Sequence, residues 1–397
     1  LYIPLLCCLL LLAAVVLIIL IDAIPIFADW LSRIRIGRYR DLKEWNESVT
    51  QRGAQWLNRT PKMKVTDNTR LVVIDMLQGN YTKNAIQHWQ EAALLIGLSE
   101  YADKNQDRDI ENEIRKYVKA KFDSGGNWVV KPRHIDGAIV AYAVMKQQCI
   151  DPDGFKPAFD YIWEFIQEHI GDDGTVMYRK SMKNYRYVDT IGFVCPFLVA
   201  YGLRYDKREC VELAVRQLVE YERHGMLDHH YLPSHAYHVD HKTPLGLYGW
   251  GRGLGWFAIG LMDAWRELPA AHPDKPLLEG MITRFAAASL AFQGAEGNWN
   301  WTITRQESRA DSSATAVLGW FLGEASHLEH LAEACSKGSQ RAASYLMKVT
   351  RRSGAVDFSQ GDTKDIGVYS MLFNILPFTQ GFCIRMMNDK GRDQVPA

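Results

Sequence analysis

Three aspartates stand where helical patterns begin. Asp136 lies in Pro132-Arg-His-Ile-Asp-Gly-Ala-Ile139, Asp189 in Tyr185-Arg-Tyr-Val-Asp-Thr-Ile-Gly192, and Asp311 in Ser308-Arg-Ala-Asp-Ser-Ser-Ala-Thr315. A carboxylate in such a place has two uses. As an N-cap it accepts from free backbone N–H groups and contributes about 1 kcal/mol. Where several helix starts share one mouth, it can instead face a second carboxylate across a cleft. Burial beside aromatic rings then raises one pKa and makes a proton donor. Capping is the commoner role for any one of them. Asp136 and Asp189, however, have basic or aromatic neighbours in Arg133, His134, Tyr185 and Tyr187.

A second stretch offers binding chemistry. In Tyr248-Gly-Trp-Gly-Arg-Gly-Leu-Gly-Trp256, glycines alternate with Trp250, Arg252 and Trp256. The rings present flat faces and the arginine a planar, permanently charged fork, which together suit a ring-shaped anion. The glycines let the backbone turn and let a partner come close. Taken alone, the stretch is a turn before a buried helix with tryptophans as core.

The loop from Asp228 to His241 holds five histidines, at 229, 230, 235, 238 and 241. Their spacing fits no zinc motif and no cysteine joins them, so substrate-binding or solvated histidines are expected, not a metal site. The glycines at 249, 251, 253 and 255 make no phosphate loop of the G-x-x-x-x-G-K-S/T type. No serine nucleophile elbow is present. Neither metal nor cofactor is expected.

These residues need a frame. After the first 40 residues the chain is a succession of helical patterns, beginning near Asp41, Asn84, Asp109, Asp136, Phe155, Asp189, Lys207, Gly251, Pro276, Asp311, Leu328 and Ile366. Strand patterns are scarce; Leu71-Val-Val-Ile74 is the best of them. Some helices are apolar or small all round, such as Gly137-Ala-Ile-Val-Ala-Tyr-Ala-Val144. Others are amphipathic, such as Ile110-Glu-Asn-Glu-Ile-Arg-Lys-Tyr-Val118. The first kind is buried and the second lies outside. The two roughly alternate, as helix hairpins closed into a double ring require. No Pro/Ser-rich linker divides residues 41–390, so one all-α domain is expected there.

Lysine plus arginine equals aspartate plus glutamate at 46 each, which gives no basic excess for nucleic acid. The seven cysteines include no C-x-x-C pair, which argues against a disulfide framework. Residues 1–21 carry no charge, and about 20 apolar residues cross a bilayer. The run is longer than the apolar part of a cleaved signal peptide and lacks a clean small-residue cleavage site. It is therefore read as a retained single-pass anchor, followed by a basic juxtamembrane linker over 22–40 with Arg33, Arg35, Arg38 and Arg40. The side of the membrane stays open.

With these pieces in place, the chain from about residue 45 to 385 resembles the unsaturated glucuronyl and rhamnogalacturonyl hydrolases, glycoside hydrolase families 88 and 105. The resemblance is carried by His235-Ala-Tyr with Gly249-Trp-Gly-Arg-Gly-Leu-Gly-Trp256, and by Tyr187-Val-Asp-Thr-Ile-Gly-Phe-Val-Cys-Pro-Phe-Leu198. His134-Ile-Asp-Gly, Asp311-Ser-Ser-Ala-Thr-Ala and Asp365-Ile-Gly-Val-Tyr add to it. It implies an (α/α)6 barrel of the six-hairpin glycosidase type. It implies hydration of the C4=C5 enol ether in an oligosaccharide that ends in an unsaturated uronic acid. Asp189 would be the general acid/base and Asp136 its partner. His235, Trp250, Arg252, Tyr187, Trp256 and His134 would contact the sugar. The chain departs from the family pattern at Leu254 and Tyr187, which bears on substrate identity.

Two rivals follow from the same frame. One is another (α/α)6 enzyme, an epimerase or an ordinary inverting glycosidase, with Glu296 and Glu307 as the glutamates on offer. The other is a non-catalytic, membrane-tethered glycan-binding protein.

Overall fold

In the computed structural model, residues 2–83 and 87–388 are described. A long first helix, α1 (Tyr2–Arg33), has no buried residue. There follow α2 (Leu42–Asn58), a short α3 (Val72–Leu77), α4 (His88–Asn105), α5 (Arg108–Lys121), α6 (Gly137–Met145) and α7 (Lys156–Gln167). The chain continues with α8 (Val188–Arg204), α9 (Arg208–Gly225), α10 (Gly251–Glu267), α11 (Lys275–Ala291), α12 (Ser312–Ala325), α13 (Ala332–Lys348) and α14 (Pro377–Met387).

The even-numbered helices from α4 to α14 close a ring, each packed on the next and α14 back on α4. The odd-numbered helices from α5 to α13, with α2, form an outer layer against them. Among the described residues this is a double ring of six hairpins, an (α/α)6 barrel. The reason lies in the side chains. Every residue of α6 is buried, whereas α5 buries only Ile110, Ile114, Tyr117 and Val118, spaced three and four apart on one face. An inner helix meets protein on all sides; an outer one meets it along a stripe.

Close approach within the ring needs small residues. A Cβ on Gly260 would sit 2.5 Å from the backbone oxygen of Ile191, so α8 and α10 could not pack as they do with any other residue there.

The N-terminal ends of the inner helices share one mouth, and the far end is polar too. There Arg385 on α14 makes a bidentate pair with Asp263 on α10 at 2.6 and 2.9 Å, both side chains out of water. Arg385 also reaches Glu100 on α4 at 3.0 Å, and Arg266 meets Glu324 on α12 at 3.0 Å.

Three expectations change. Leu71-Val-Val-Ile74 is not a strand: Leu71 takes a left-handed φ of 52° and α3 starts after it. A short apolar run does not by itself tell strand from helix. The last helix starts at Pro377, not near Ile366, because the preceding residues form a hairpin of short strands Ser359–Gln360 and Phe373–Asn374 with the loop between them. The helix over the apolar run does not stop at residue 21 but runs unbroken to Arg33, so the expected linker over 22–40 is largely helical. The helix start expected near Asn84 lies outside the described residues; α4 itself begins at His88.

Candidate active site

A cavity of about 310 Å³ opens at the mouth of the inner ring. Its wall takes His88 and Trp89 from the start of α4, Asp136 from before α6, Asp189 from α8, and Trp250 and Arg252 from the start of α10. Tyr187, His235, Trp256 and His134 complete the set of residues expected from the sequence; all eight line this one cavity.

The three aspartates part company here. Asp311 is a cap: its carboxylate accepts from Ser313 N at 2.9 Å and Ala314 N at 3.3 Å. It also accepts from Gln360 N at 2.9 Å. Asp136 stands at the N-cap position of α6 but makes no side-chain cap bond. Asp189 lies inside the first turn of α8, whose N-cap is Tyr187. Among the described residues, Asp136 Oδ1 and Asp189 Oδ2 are both buried without a hydrogen-bond partner. Burial raises the pKa of Asp136 against the opposing pull of His88 and His134. Burial pushes the Asp189 carboxyl up to about 7, with the charge of Asp362 adding to it and Arg252 opposing.

Replacing Asp311 removes a cap and the acceptor of Gln360 N, but no side chain of the cavity lining. Asp311→Ala is expected to cost ~2–4 kcal/mol, the sum of a lost cap and an orphaned Gln360 N–H. A urea titration checks the cost. The folded fraction should lose far less activity than a variant at Asp189, because Trp250 and Ser370 still hold Gln360.

His235 is placed by a small sheet. Strands Tyr185–Tyr187, Ala236–His238 and Thr243–Leu245 pair antiparallel in that order, with Tyr187 opposite Ala236. Val188 N also donates to His235 O at 3.0 Å, which locks the histidine beside the start of α8. His235 Nε2 then stands 3.7 Å from Asp189 Oδ2, and its Nδ1 lies 3.2 Å from the Tyr369 hydroxyl. Burial first, and Arg252 second, lower the His235 pKa to about 4. It is therefore neutral beside Asp189 at ordinary pH, a hydrogen-bonding group and not a counter-ion.

The histidine loop does not gather around a point. His235 enters the cavity, while the rings of His238 and His241 lie together at 4.6 Å on the exposed side. Among the described residues no three His, Cys, Asp or Glu side chains converge as a metal site.

The glycine–tryptophan stretch is the expected turn before a buried helix, but its glycines serve the protein's own packing. Gly249 has a φ of +76°, the left-handed turn that leads into α10. A Cβ on Gly253 would meet the Trp250 ring at 2.7 Å, so this glycine makes room for the protein's own tryptophan, not for a ligand. Trp256 borders the cavity, but its ring packs edge-on to Trp89 at 5.5 Å and Phe193 at 4.7 Å. Arg252 donates to Gln360 O and Gly361 O at 2.7 Å each and to Thr363 Oγ1 at 3.2 Å. That spends three of its five N–H donors on a loop.

The same loop supplies what the sequence reading missed. Trp250 Nε1 bonds Gln360 Oε1 at 3.0 Å, and Gln360 Nε2 bonds Ser370 O at 3.0 Å. Held this way, the segment brings Asp362, Thr363, Lys364 and Asp365 to the cavity. Only Asp365, in the last of the quoted motifs, left a signal. His88 was missed as well. Its Nδ1 lies 3.3 Å from Glu91 Oε2. Burial pulls its pKa down, but Glu91 and the charge of Asp136 outweigh that and leave it raised. A histidine opening a helix of which most residues are buried was the available clue.

Glu296 and Glu307 are not at the site. Glu296 pairs with Lys348 at 3.2 Å and Glu307 with Arg305 at 2.9 Å, both on the surface. Among the described residues the cavity's carboxylates are all aspartates.

Comparison with known proteins agrees with this fold. Residues 56–382 match the family described as glycosyl hydrolase family 88. The unsaturated rhamnogalacturonyl hydrolase YesR of Bacillus subtilis (strain 168) is 20% identical over 281 residues, 68% of this chain and 77% of that one. A possible member of family GH105 from Salmonella enterica serovar Paratyphi A superposes with a TM-score of 0.74 at 16% identity, covering 90% of this chain and 96% of that one. The unsaturated glucuronyl hydrolase of Bacillus sp. GL1 superposes with a TM-score of 0.61 at 15% identity, covering 89% and 97%.

Proposed function

The chain belongs to glycosyl hydrolase family 88, and from that premise we propose that it removes a 4,5-unsaturated uronic acid from the non-reducing end of lyase-generated oligosaccharides. One observation carries the reading. Asp189 Oδ2 is buried at the cavity without a hydrogen-bond partner among the described residues, and its carboxyl is pushed up to about 7. Such a group keeps its proton near neutrality and is free to give it up.

In the reaction, Asp189 donates its proton to C4 of the C4=C5 enol ether. The ring oxygen stabilises the cation left at C5. Water adds at C5, and its proton returns to the Asp189 carboxylate. The C5 hemiketal then opens, C1 is left as a hemiacetal, and loss of the neighbouring sugar's hydroxyl breaks the linkage. Asp136, also raised by burial, orients the sugar and tunes Asp189. Neutral His235 holds a hydroxyl or the water near Asp189. Trp250 and Tyr187 form aromatic walls, with Trp256 beneath and His134 at the rim. Arg252, together with Arg179 and Lys364 at the same cavity, answers the uronate carboxylate.

The test is loss of the enol-ether absorbance with unsaturated disaccharides from several lyases. Cleavage of saturated glycosides with no such loss would hand the case to an ordinary glycosidase. The pH profile is a second check. Asp189 must be protonated to donate, so kcat/KM is full below about 7 and falls as pH rises through it. A rate that stays flat across that range removes Asp189 from the role.

Helix α1 is read as a retained single-pass anchor. Its Tyr2–Ser32 span is long and apolar enough to cross a bilayer, free of charge up to Asp22, and none of its residues is buried.

A further inference from the structure

Beyond the reach of the apolar run, α1 does not leave the barrel alone. Asp22 is the first charged residue in the helix. Its carboxylate accepts from Leu71 N at 2.8 Å and Val72 N at 2.9 Å, the backbone donors that open α3. Asp29 meets Arg351 at 3.5 Å, and Arg33 Nε bonds Asp357 at 2.8 Å. Residues 22, 29 and 33 share one helix face, so α1 is fixed to the barrel along that side.

The opposite side is apolar and exposed among the described residues. Phe27 and Trp30 are 57% and 58% exposed, with their rings stacked at 5.5 Å; Ile24, Leu31 and Ile34 are exposed beside them. Helix α3, tied to Asp22, carries Ile74 and Leu77 at 48% and 84% exposure. Arg35, Arg38 and Arg70 are exposed around this area. Tryptophan at the edge of an apolar span, short apolar helices and flanking basic residues are what a bilayer interface takes.

Position adds a third observation. Between α1 and the barrel lies a second cavity of about 470 Å³, walled by Pro25, Ala28 and Asp29. It shares Gln87, Asp362 and Lys364 with the catalytic cavity. The segment of α1 that follows Asp22 therefore flanks the approach to the site.

We infer that α3 and the outer face of α1 from Ile24 to Leu31 form one ledge that lies in the bilayer interface and holds the cavity entrance at the membrane surface. The inference rests on the reading of α1 as a span. Asp22 marks where the hydrocarbon must end, and its bonds to Leu71 and Val72 set the depth of α3 at that level. The ledge then sinks its apolar residues ~5–10 Å into the headgroup boundary. The enzyme so held would work on glycan fragments close to the membrane.

The test uses the full chain in phosphatidylcholine–phosphatidylserine vesicles whose acyl chains carry a fluorescence quencher. The accessible cysteines are removed as Cys7→Ser, Cys8→Ser and Cys149→Ser. An environment-sensitive label is then placed in turn at Leu77→Cys, Ile74→Cys, Leu12→Cys and Leu203→Cys. Leu203 lies at the far end of the barrel. Labels at Leu77 and Ile74 should shift to the blue and lose emission to the quencher, while the label at Leu203 should not. If Leu12 is quenched but Leu77 and Ile74 behave like Leu203, the ledge is wrong and the span stands. If Leu12 is not quenched either, both fall.

Discussion

Asp189→Asn should lower kcat on unsaturated disaccharides by about 10²–10⁴-fold, the usual worth of a positioned general acid. KM should change little, because the amide keeps the shape of the carboxyl. The same substitution should alter how stability depends on pH, and the sign follows from the shift. In the unfolded chain the carboxyl titrates near its ordinary 3.8; in the folded cavity it titrates at about 7. Between those values the unfolded state is ionised and the folded state is protonated. Unfolding releases a proton there, so wild-type stability falls as pH rises from about 4 to about 7 and levels off above. Carrying one carboxyl across that range corresponds to about 4 kcal/mol. The Asn variant lacks this loss, so it should gain on the wild type steadily over the same interval. A variant that stays active, or one whose stability follows the wild-type slope, would remove Asp189 from the proposed role. Denaturation curves at several pH values, run with the absorbance assay, decide it.

Asp263→Ala should destabilise the barrel by about 3–5 kcal/mol, because it leaves the Arg385 guanidinium buried without its main partner. Asp263 and Arg385 join α10 to α14 across the end of the ring opposite the cavity. Both are held out of water, so the cost comes from stranded charge and not from the loss of an exposed pair. The double variant Asp263→Leu/Arg385→Met removes both charges and should recover most of the loss. Urea titration of the detergent-solubilised chain measures the difference. Activity per folded molecule should be unchanged in both. A cost below about 1 kcal/mol for Asp263→Ala would mean that Glu100, which also bonds Arg385, is enough to satisfy it.

Much of this architecture could be read before any coordinates. The alternation of all-apolar helices such as α6 with striped ones such as α5 follows from burial, and burial leaves a period in the chain. Twelve helical patterns were expected, and the ring is built from helices close to ten of those starts. The starts misplaced or out of view, near Ile366 and Asn84, sit beside loops. There the conformation depends on distant partners, and the local pattern is silent. The same holds for Leu71-Val-Val-Ile74: its four apolar residues fit a strand, but Asp22, far away in sequence, accepts the N–H groups that start α3.

The residues that line the candidate site were also legible, but not their separate surroundings. The sequence alone determined which side chains were available: three aspartates at helix starts, the tryptophans, Arg252 and His235. Local physics treats the three aspartates alike, since a cap needs only the N–H groups two and three residues ahead. Only the tertiary structure decided that Asp311 caps while Asp136 and Asp189 keep oxygens unpartnered. It also decided that Arg252 spends its fork on Gln360 and Gly361, and that Gly253 makes room for Trp250. The reason is range. Helix periodicity and capping act over a few residues and are written in the chain order. A raised carboxyl pKa depends on everything that displaces water around it, and at Asp189 those groups come from α4, α8, α10 and the loop before α14.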